Sequence, residues 1–278
     1  MIQIATISEM RRALAEIRGS VGLVPTMGYL HAGHMALVER ARRENDIVVV
    51  TIFVNPTQFG PEEDLDQYPR DLTRDLTILR EAGVDFVFTP DPAEIYPEDF
   101  STYVVVDGLS EKLEGAFRPG HFRGVATIVA KLFNIIPADR AYFGQKDAQQ
   151  VVIIKRMARD LNFQHQIVVV PTVREMDGLA LSSRNVYLSA EERQAALVLS
   201  KALFHARDLY SRGERSATEI RTAVRAMLDA EPMVKTDYVT VSDPETLEEL
   251  DRIECRALVA LAARVGKTRL IDNILVGD

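Results

Sequence analysis

Cysteine occurs once in the 278 residues, at position 255. A single thiol excludes an intrachain disulfide framework and a cysteine-built metal cluster, and it fits a reducing cytoplasm. Its place beside the apolar run "ALVALAARV" (257–265) predicts a packed core thiol. No stretch reaches the roughly 18 consecutive apolar residues of a membrane-crossing helix, and the amino end "MIQIATISEMRRALAEI" lacks the sustained apolar core of a signal segment. Blocks of lysine and arginine are missing too. With 41 acidic residues against 33 basic ones the formal charge is −8, which argues against a broad nucleic-acid-binding face. Anionic small molecules stay open, because a site needs only a few local cations. No fixed-period repeat or low-complexity tract is present. These absences predict a soluble, cytoplasmic protein with neither nucleic-acid nor membrane partners.

What remains is ordinary globular composition, 47% hydrophobic and 27% charged, enough for one large or two modest cores. Through the first 170 residues, apolar runs of strand length alternate with helical patterns: "VGLVP" (21–25), "IVVVTIFV" (47–54), "VDFVF" (84–88), "RAYF" (140–143) and "QIVVV" (166–170). That alternation predicts parallel strands with helical crossovers. Met35, Leu37, Val38 and Ala41 form one helical apolar face, and Leu72, Leu76 and Leu79 form another that stops at Gly83. "GVATIVAKLFNII" and "AQQVVIIKRMARDL" make two further helices. The fold class is therefore α/β, a doubly wound, Rossmann-like parallel sheet over residues 1–175 with its ligand crevice at the strands' carboxyl ends. After Pro171 comes a polar loop, then long helices near 190–211 and 216–230. "TDYVTVSD", "RALVALAARV" and "TRLIDNILV" follow as strand-like segments on short connections, which predicts a smaller α+β domain, residues 176–278, with an antiparallel sheet.

Two of only five histidines stand at the mouth of a helix in "PTMGYLHAGH" (25–34). Gly28 and Gly33 permit tight turns, and the first amides of the helix, starting near Gly33 or His34, lack intrahelical partners and attract phosphate. His31 and His34 lie one turn apart, so both reach one spot beside that terminus. Three uses compete for them: capping or packing, zinc ligation, and phosphate or carboxylate chemistry. Zinc on a helix commonly takes histidines at i and i+4 and needs further ligands that the neighbourhood lacks. "GQKD" (144–147) follows a strand and opens a helix, placing Lys146 where an ammonium can neutralise phosphate. "VGKT" (265–268) lacks the earlier glycine of a P-loop and predicts a turn between strands. "LALSSRN" (179–185) offers Ser182, Ser183 and Arg184 either as a phosphate-closing lid or as a solvated loop. "FVNPTQF" (53–59) brings Asn55, Thr57 and Gln58 to a strand end, and Gln149 and Gln150 open the helix after "GQKD". "RPGHFRGV" (118–125) adds Arg118, His121 and Arg123, suited to an anion or to a surface turn.

In order and content, "PTMGYLHAGH", "FVNPTQF", "RPGHFRGV", "FGQKDAQQ" and "PTVREMDGLALSSRN" resemble the pantothenate synthetase (pantoate–beta-alanine ligase) family, within the nucleotidyltransferases marked by a histidine-x-glycine-histidine signature. The likeness spans nearly the whole chain and is strongest over 21–189. It implies ATP-dependent joining of pantoate to β-alanine through a pantoyl-adenylate, with release of AMP and pyrophosphate, Mg²⁺ on the ATP phosphates and a homodimer. Carried onto this chain, Met27, Gly28, Tyr29, Leu30, His31, Ala32, Gly33 and His34 would bind ATP, with His34 the proton donor and His31 and Lys146 its catalytic companions. Gly144, Gln145, Lys146, Asp147, Val173, Leu181, Ser182, Ser183 and Arg184 would complete the nucleotide site. Gln58, Gln150 and His121 would hold substrate. Another adenylyl or cytidylyl transferase, or an ATP-sensing module without catalysis, is the alternative.

Overall fold

Val48, Val49 and Val50 are buried without alternation, as expected of a parallel strand covered on both faces. The structure, a computed structural model, describes residues 1–61 and 63–277. In chain order the elements are β1 (Ile2–Ile4), α1 (Ile7–Ala15), β2 (Val21–Thr26), α2 (Ala32–Glu44), β3 (Ile47–Ile52), α3 (Leu72–Glu81), β4 (Phe86–Phe88), α4 (Pro92–Ile95), α5 (Glu114–Phe117) and α6 (His121–Ile135). They continue with β5 (Arg140–Gly144), α7 (Ala148–Asp160), β6 (Gln166–Val170), α8 (Ala190–Ser211), α9 (Ala217–Asp229), β7 (Val234–Ser242), β8 (Ala257–Val265) and β9 (Thr268–Val276). The chain divides into two compact units, residues 1–144 with 153–171, and residues 145–152 with 172–278.

In the first unit six strands form one sheet in the order β1-β4-β3-β2-β5-β6, and every pairing is parallel. The chain winds outward from β2 through β3 to β4, then crosses back to β5 and β6. The strand order thus reverses between β2 and β5, the position where a doubly wound sheet opens its crevice. Helix α2 buries Leu37, Val38 and Ala41 against this sheet. Helix α6 is buried nearly all round, which its almost uninterrupted apolar sequence requires. Gly83, at φ +71°, terminates α3 in the left-handed conformation glycine allows. A polar knot secures the core: Asn45 donates to the Tyr142 hydroxyl at 2.7 Å, which donates to Glu44 at 2.9 Å, and burial pushes the phenol up to about 12.

In the second unit α8 and α9 pack on the antiparallel sheet β7-β8-β9. Val265 pairs with Thr268 around Gly266 and Lys267, with Gly266 at φ +57°, so "VGKT" is a two-residue hairpin. Cys255 corrects an expectation: it is exposed, because the buried strand begins only at Ala257 and the thiol stays in the preceding turn. No helix of the described residues is long and apolar enough to cross a membrane.

His165 is the first unit's misfit. Its ring stacks on Phe133 at 4.1 Å, Nε2 donates to the Ile136 carbonyl at 3.1 Å, and the buried Nδ1 has no partner. Burial pushes this imidazole below its ordinary value of 6.5. The unfolded chain therefore binds a proton that the fold refuses, so the histidine's contribution is intact above 6.5 and is lost as pH falls below it toward the lowered folded value. Urea unfolding from neutral pH to pH about 5 is expected to show a loss of stability that is smaller, by less than one proton's worth of slope, in His165→Phe. Parallel curves for the two proteins would count against this account.

Candidate active site

Strand β2 ends at Thr26, whose hydroxyl donates to the Thr51 carbonyl at 2.6 Å and accepts from the Gly28 amide at 3.2 Å. The chain then turns through φ +82° at Gly28 and φ +49° at Tyr29. A Cβ on Gly28 would come within 2.9 Å of Ile52 Cγ2, so only glycine fits both the space and the backbone. For Tyr29 the left-handed conformation costs about 1–2 kcal/mol. Asp75 offsets that cost: its two oxygens accept from the Tyr29 and Leu30 amides at 2.7 and 2.8 Å. Arg74 joins the clamp by donating to the Leu30 carbonyl at 3.0 Å. The Asp75 side chain is 1% exposed, and its burial raises the carboxyl above the usual range although both amides and Arg74 pull it down.

This turn delivers His31 and His34. His31 is the N-cap of α2, so the helix starts at Ala32, slightly earlier than the sequence pattern suggests. Its Nδ1 accepts from the Gly33 amide at 3.1 Å, while Nδ1 of His34 accepts from the His31 amide at 3.3 Å. The ring centroids are 4.1 Å apart. Each Nδ1 accepts, so each neutral ring carries its proton on Nε2. Capping thus uses the Nδ1 edge of each ring, and the proton sits on the other nitrogen.

At the end of β3, Asn55 organises the turn Pro56–Gln58. Its Oδ1 accepts from Tyr96 at 2.8 Å and Thr57 Oγ1 at 2.9 Å, and its Nδ2 donates to Gln58 Oε1 and to the Gly124 carbonyl, both at 3.1 Å. Burial pushes the Tyr96 phenol up to about 12, keeping it a donor. Gln58 in turn points Nε2 at the Met27 sulfur, 2.9 Å away. His121 Nδ1 lies 2.8 Å from the Gln58 carbonyl, which requires a proton on Nδ1 and makes Nε2 the acceptor for Arg118, 3.1 Å away. Arg118 is also ion-paired with Glu63. The structure thus brings Met27, Gln58 and His121 together and shows His121 bonded to the main chain of Gln58.

In the second unit Gln145–Asp147 form one turn of 3₁₀-helix leading into α7, with Lys146 Nζ 3.9 Å from Asp147. Gln149 is buried and Gln150 half-buried at the start of α7. The loop after residue 171 closes on itself through a 3.0 Å bond from the Leu181 amide to the Val173 carbonyl. Ser182 caps the turn Ser183–Tyr187 by accepting from the Arg184 amide at 3.3 Å. Arg193 on α8 holds the loop tip through Glu175 at 2.5 Å and Asp177 at 2.7 Å. Sequence reasoning missed Asp75 and the β9 pair Asp272–Asn273. The available signal for Asp75 was a carboxylate on the apolar Leu72–Leu76–Leu79 face; Asn273 gave none, since its partners lie 127 and 128 positions away.

The chain is similar to known proteins along its whole length. The pantoate-beta-alanine ligase family profile matches residues 2–275. The pantothenate synthetase of Roseiflexus castenholzii is 59% identical over 98% of both chains, and that of Moorella thermoacetica 57% identical over 98% of this chain and 97% of the other. Among solved structures, pantothenate synthetase from Thermus thermophilus superposes with a TM-score of 0.95 at 53% identity, covering 99% of each chain. Pantoate-beta-alanine ligase from Francisella tularensis, in complex with beta-gamma ATP and beta-alanine, superposes at 0.82 with 34% identity, covering 99% of this chain and 97% of the other.

Helix α6 approaches the Gln58 turn so closely that a Cβ on Gly124 would fall 2.3 Å from the Thr57 carbonyl oxygen and 2.6 Å from the Gln58 amide. Backbone on both sides cannot yield as a flexible side chain does. Gly124→Ala is expected to lower stability by about 1–3 kcal/mol, measured by urea denaturation. An unchanged midpoint would mean that the helix and turn separate freely.

Proposed function

The chain belongs to the pantoate-beta-alanine ligase family, and from that premise we propose that it condenses pantoate with β-alanine at the expense of ATP, through a pantoyl-adenylate. It is an enzyme, a ligase of pantothenate formation. The single observation that carries the adenylate route is the paired imidazole edge at the start of α2: both Nδ1 atoms are engaged by amides, which leaves Nε2–H as the donor edge of each neutral ring. ATP and β-alanine are taken as substrates because the Francisella tularensis relative was solved with beta-gamma ATP and beta-alanine.

In the first half-reaction a pantoate carboxylate oxygen attacks the α-phosphorus. The new P–O bond forms as the bond to the β-phosphate oxygen breaks, and pyrophosphate leaves with the electron pair. Two anions meet in this step, so donors must face the oxygens on which charge grows. His34 and His31 donate through Nε2, and Lys146 adds a positive charge. Residues 27–34, 144–147, 173 and 181–184 bind the nucleotide. Gln58 and Gln150 hold pantoate through uncharged amides, and His121 acts by fixing the Gln58 carbonyl. In the second half-reaction the β-alanine nitrogen attacks the acyl carbon, the C–N bond forms as the acyl C–O bond to AMP breaks, AMP leaves with the electron pair, and the amine's proton is released to solvent. Residues 1–175 bind substrates and residues 176–278 act as a lid that keeps water from the mixed anhydride.

Mg²⁺ enters with ATP. Triphosphate and water oxygens would be its main ligands, as the hard, strongly hydrated ion prefers, and no protein ligand is assigned. When bound, the ion would neutralise phosphate charge. A cytoplasmic homodimer completes the proposal.

Labelled pyrophosphate is expected to return to ATP when pantoate is present and β-alanine is not; exchange that requires β-alanine would exclude the adenylate. His34→Ala is expected to slow single-turnover adenylate formation about 10²-fold or more, the scale of losing a charge-stabilising donor, and a normal rate would remove His34 from the chemistry. Gln58→Ala is expected to raise KM for pantoate more than KM for ATP. Equal increases would move pantoate away from this side chain.

A further inference from the structure

Lysine is a long, rotatable side chain, so the direction in which its ammonium is offered depends on how firmly its own backbone is held. The turn Gln145–Asp147 is a single turn of 3₁₀-helix leading into α7. One side chain from the other end of the sequence braces it. Asn273, near the end of β9 and 3% exposed, donates through Nδ2 to the Gln145 carbonyl at 3.0 Å and to the Lys146 carbonyl at 2.9 Å. Its Oδ1 accepts from Gln145 Nε2 at 2.9 Å, which fixes which way the amide faces.

The two carbonyls belong to the peptide planes on either side of the Lys146 Cα. Each plane is rigid, so orienting both sets φ and ψ at Lys146 and with them the direction of its Cβ. Asn273 is itself immobilised. Its amide donates to Asp272 at 2.7 Å, and Asp272 is gripped by Arg174 through two bonds of 2.6 and 2.8 Å. Arg174 also donates to the Asn273 carbonyl at 3.3 Å. Pairing of Asn273 with Ala260 on β8 anchors the arrangement in the sheet.

We propose that Asn273 is the positioning residue for Lys146, aiming the ammonium at the reacting nucleotide through the two carbonyls of its turn. The proposal rests on the catalytic role assigned to Lys146. Buried and with its carboxamide engaged by the turn, Asn273 acts through Lys146, so its loss acts on turnover rather than on pantoate binding.

A double-mutant cycle on the full-length enzyme, read by pantoate-dependent ATP–pyrophosphate exchange, tests it. Asn273→Ala is expected to lower kcat about tenfold or more while KM for pantoate stays within about twofold. Asn273→Asp, which replaces both donors by acceptors facing carbonyl oxygens, is expected to lower it further. In a Lys146→Ala background, Asn273→Ala is expected to cause no additional slowing, because the group it aims is gone. Equal slowing in both backgrounds, or a normal rate for Asn273→Ala beside a slow Lys146→Ala, would overturn the positioning role alone. A normal rate for Lys146→Ala would overturn the underlying assignment. Should the alanine variant not fold, Asn273→Ser, which keeps a hydroxyl donor, runs the same cycle with the same outcomes.

Discussion

The carboxylate of Asp75 accepts two consecutive main-chain amides, those of Tyr29 and Leu30, while almost wholly removed from water. A buried carboxylate without partners costs several kcal/mol, whereas hydrogen bonds to a charged acceptor contribute about 1.5–3 kcal/mol each. The pair of bonds therefore commits the turn to one shape, positive φ at Gly28 and Tyr29, and the entry angle of α2 follows from it. Both imidazoles hang on that angle. The apparent surplus of strain at Tyr29 is the counterpart of this clamp, since a turn relaxed into ordinary backbone would aim its amides elsewhere.

Capping and phosphate chemistry look like rival uses of His31 and His34 only while the imidazole is treated as one functional group. Its two nitrogens act separately. Engaging Nδ1 with a backbone amide satisfies an orphan donor of the helix and, in the same act, fixes the tautomer whose proton sits on Nε2. Serine or asparagine would cap as well, but neither would present a second, protonated edge a ring's width away. Under the proposed role in phosphate chemistry, the two histidines would meet both requirements with the same rings.

Features carried by a run of neighbours were legible in the sequence. Short apolar runs gave β2, β3, β4, β5 and β6, helical spacing gave α2, α3, α6, α7, α8 and α9, and the missing glycine of "VGKT" gave the hairpin. Strand β1 escaped because Gln3 interrupts its two isoleucines and leaves no apolar run to read. Cys255 was misjudged by proximity: two positions from a buried strand is already outside it. The candidate site was legible as motifs, but its supports were not. Asp75 meets Leu30 across 45 positions and His121 meets Gln58 across 63, and no local pattern encodes such pairings. Residues 145–152 read as part of the first domain, yet they fall in one compact unit with residues 172–278, where Asn273 binds the Gln145–Lys146 backbone.

The two turns that carry the candidate catalytic groups are held by one principle with opposite chemistry. At residues 29–30 the backbone offers N–H groups, and the partner is a carboxylate, which only accepts. At residues 145–146 the backbone offers carbonyls, and the partner is a carboxamide, whose NH₂ gives two donors while its oxygen takes the Gln145 side chain. In each case one buried side chain grips two consecutive peptide groups, and a rigid plane gripped on either side of a Cα leaves that residue no rotational freedom. Aspartate and asparagine have nearly the same shape, so shape cannot explain why each stands where it does. The direction of the hydrogen bonds can: an acceptor-only group facing carbonyls would repel them, and a donor facing amides would leave them unsatisfied in a buried site.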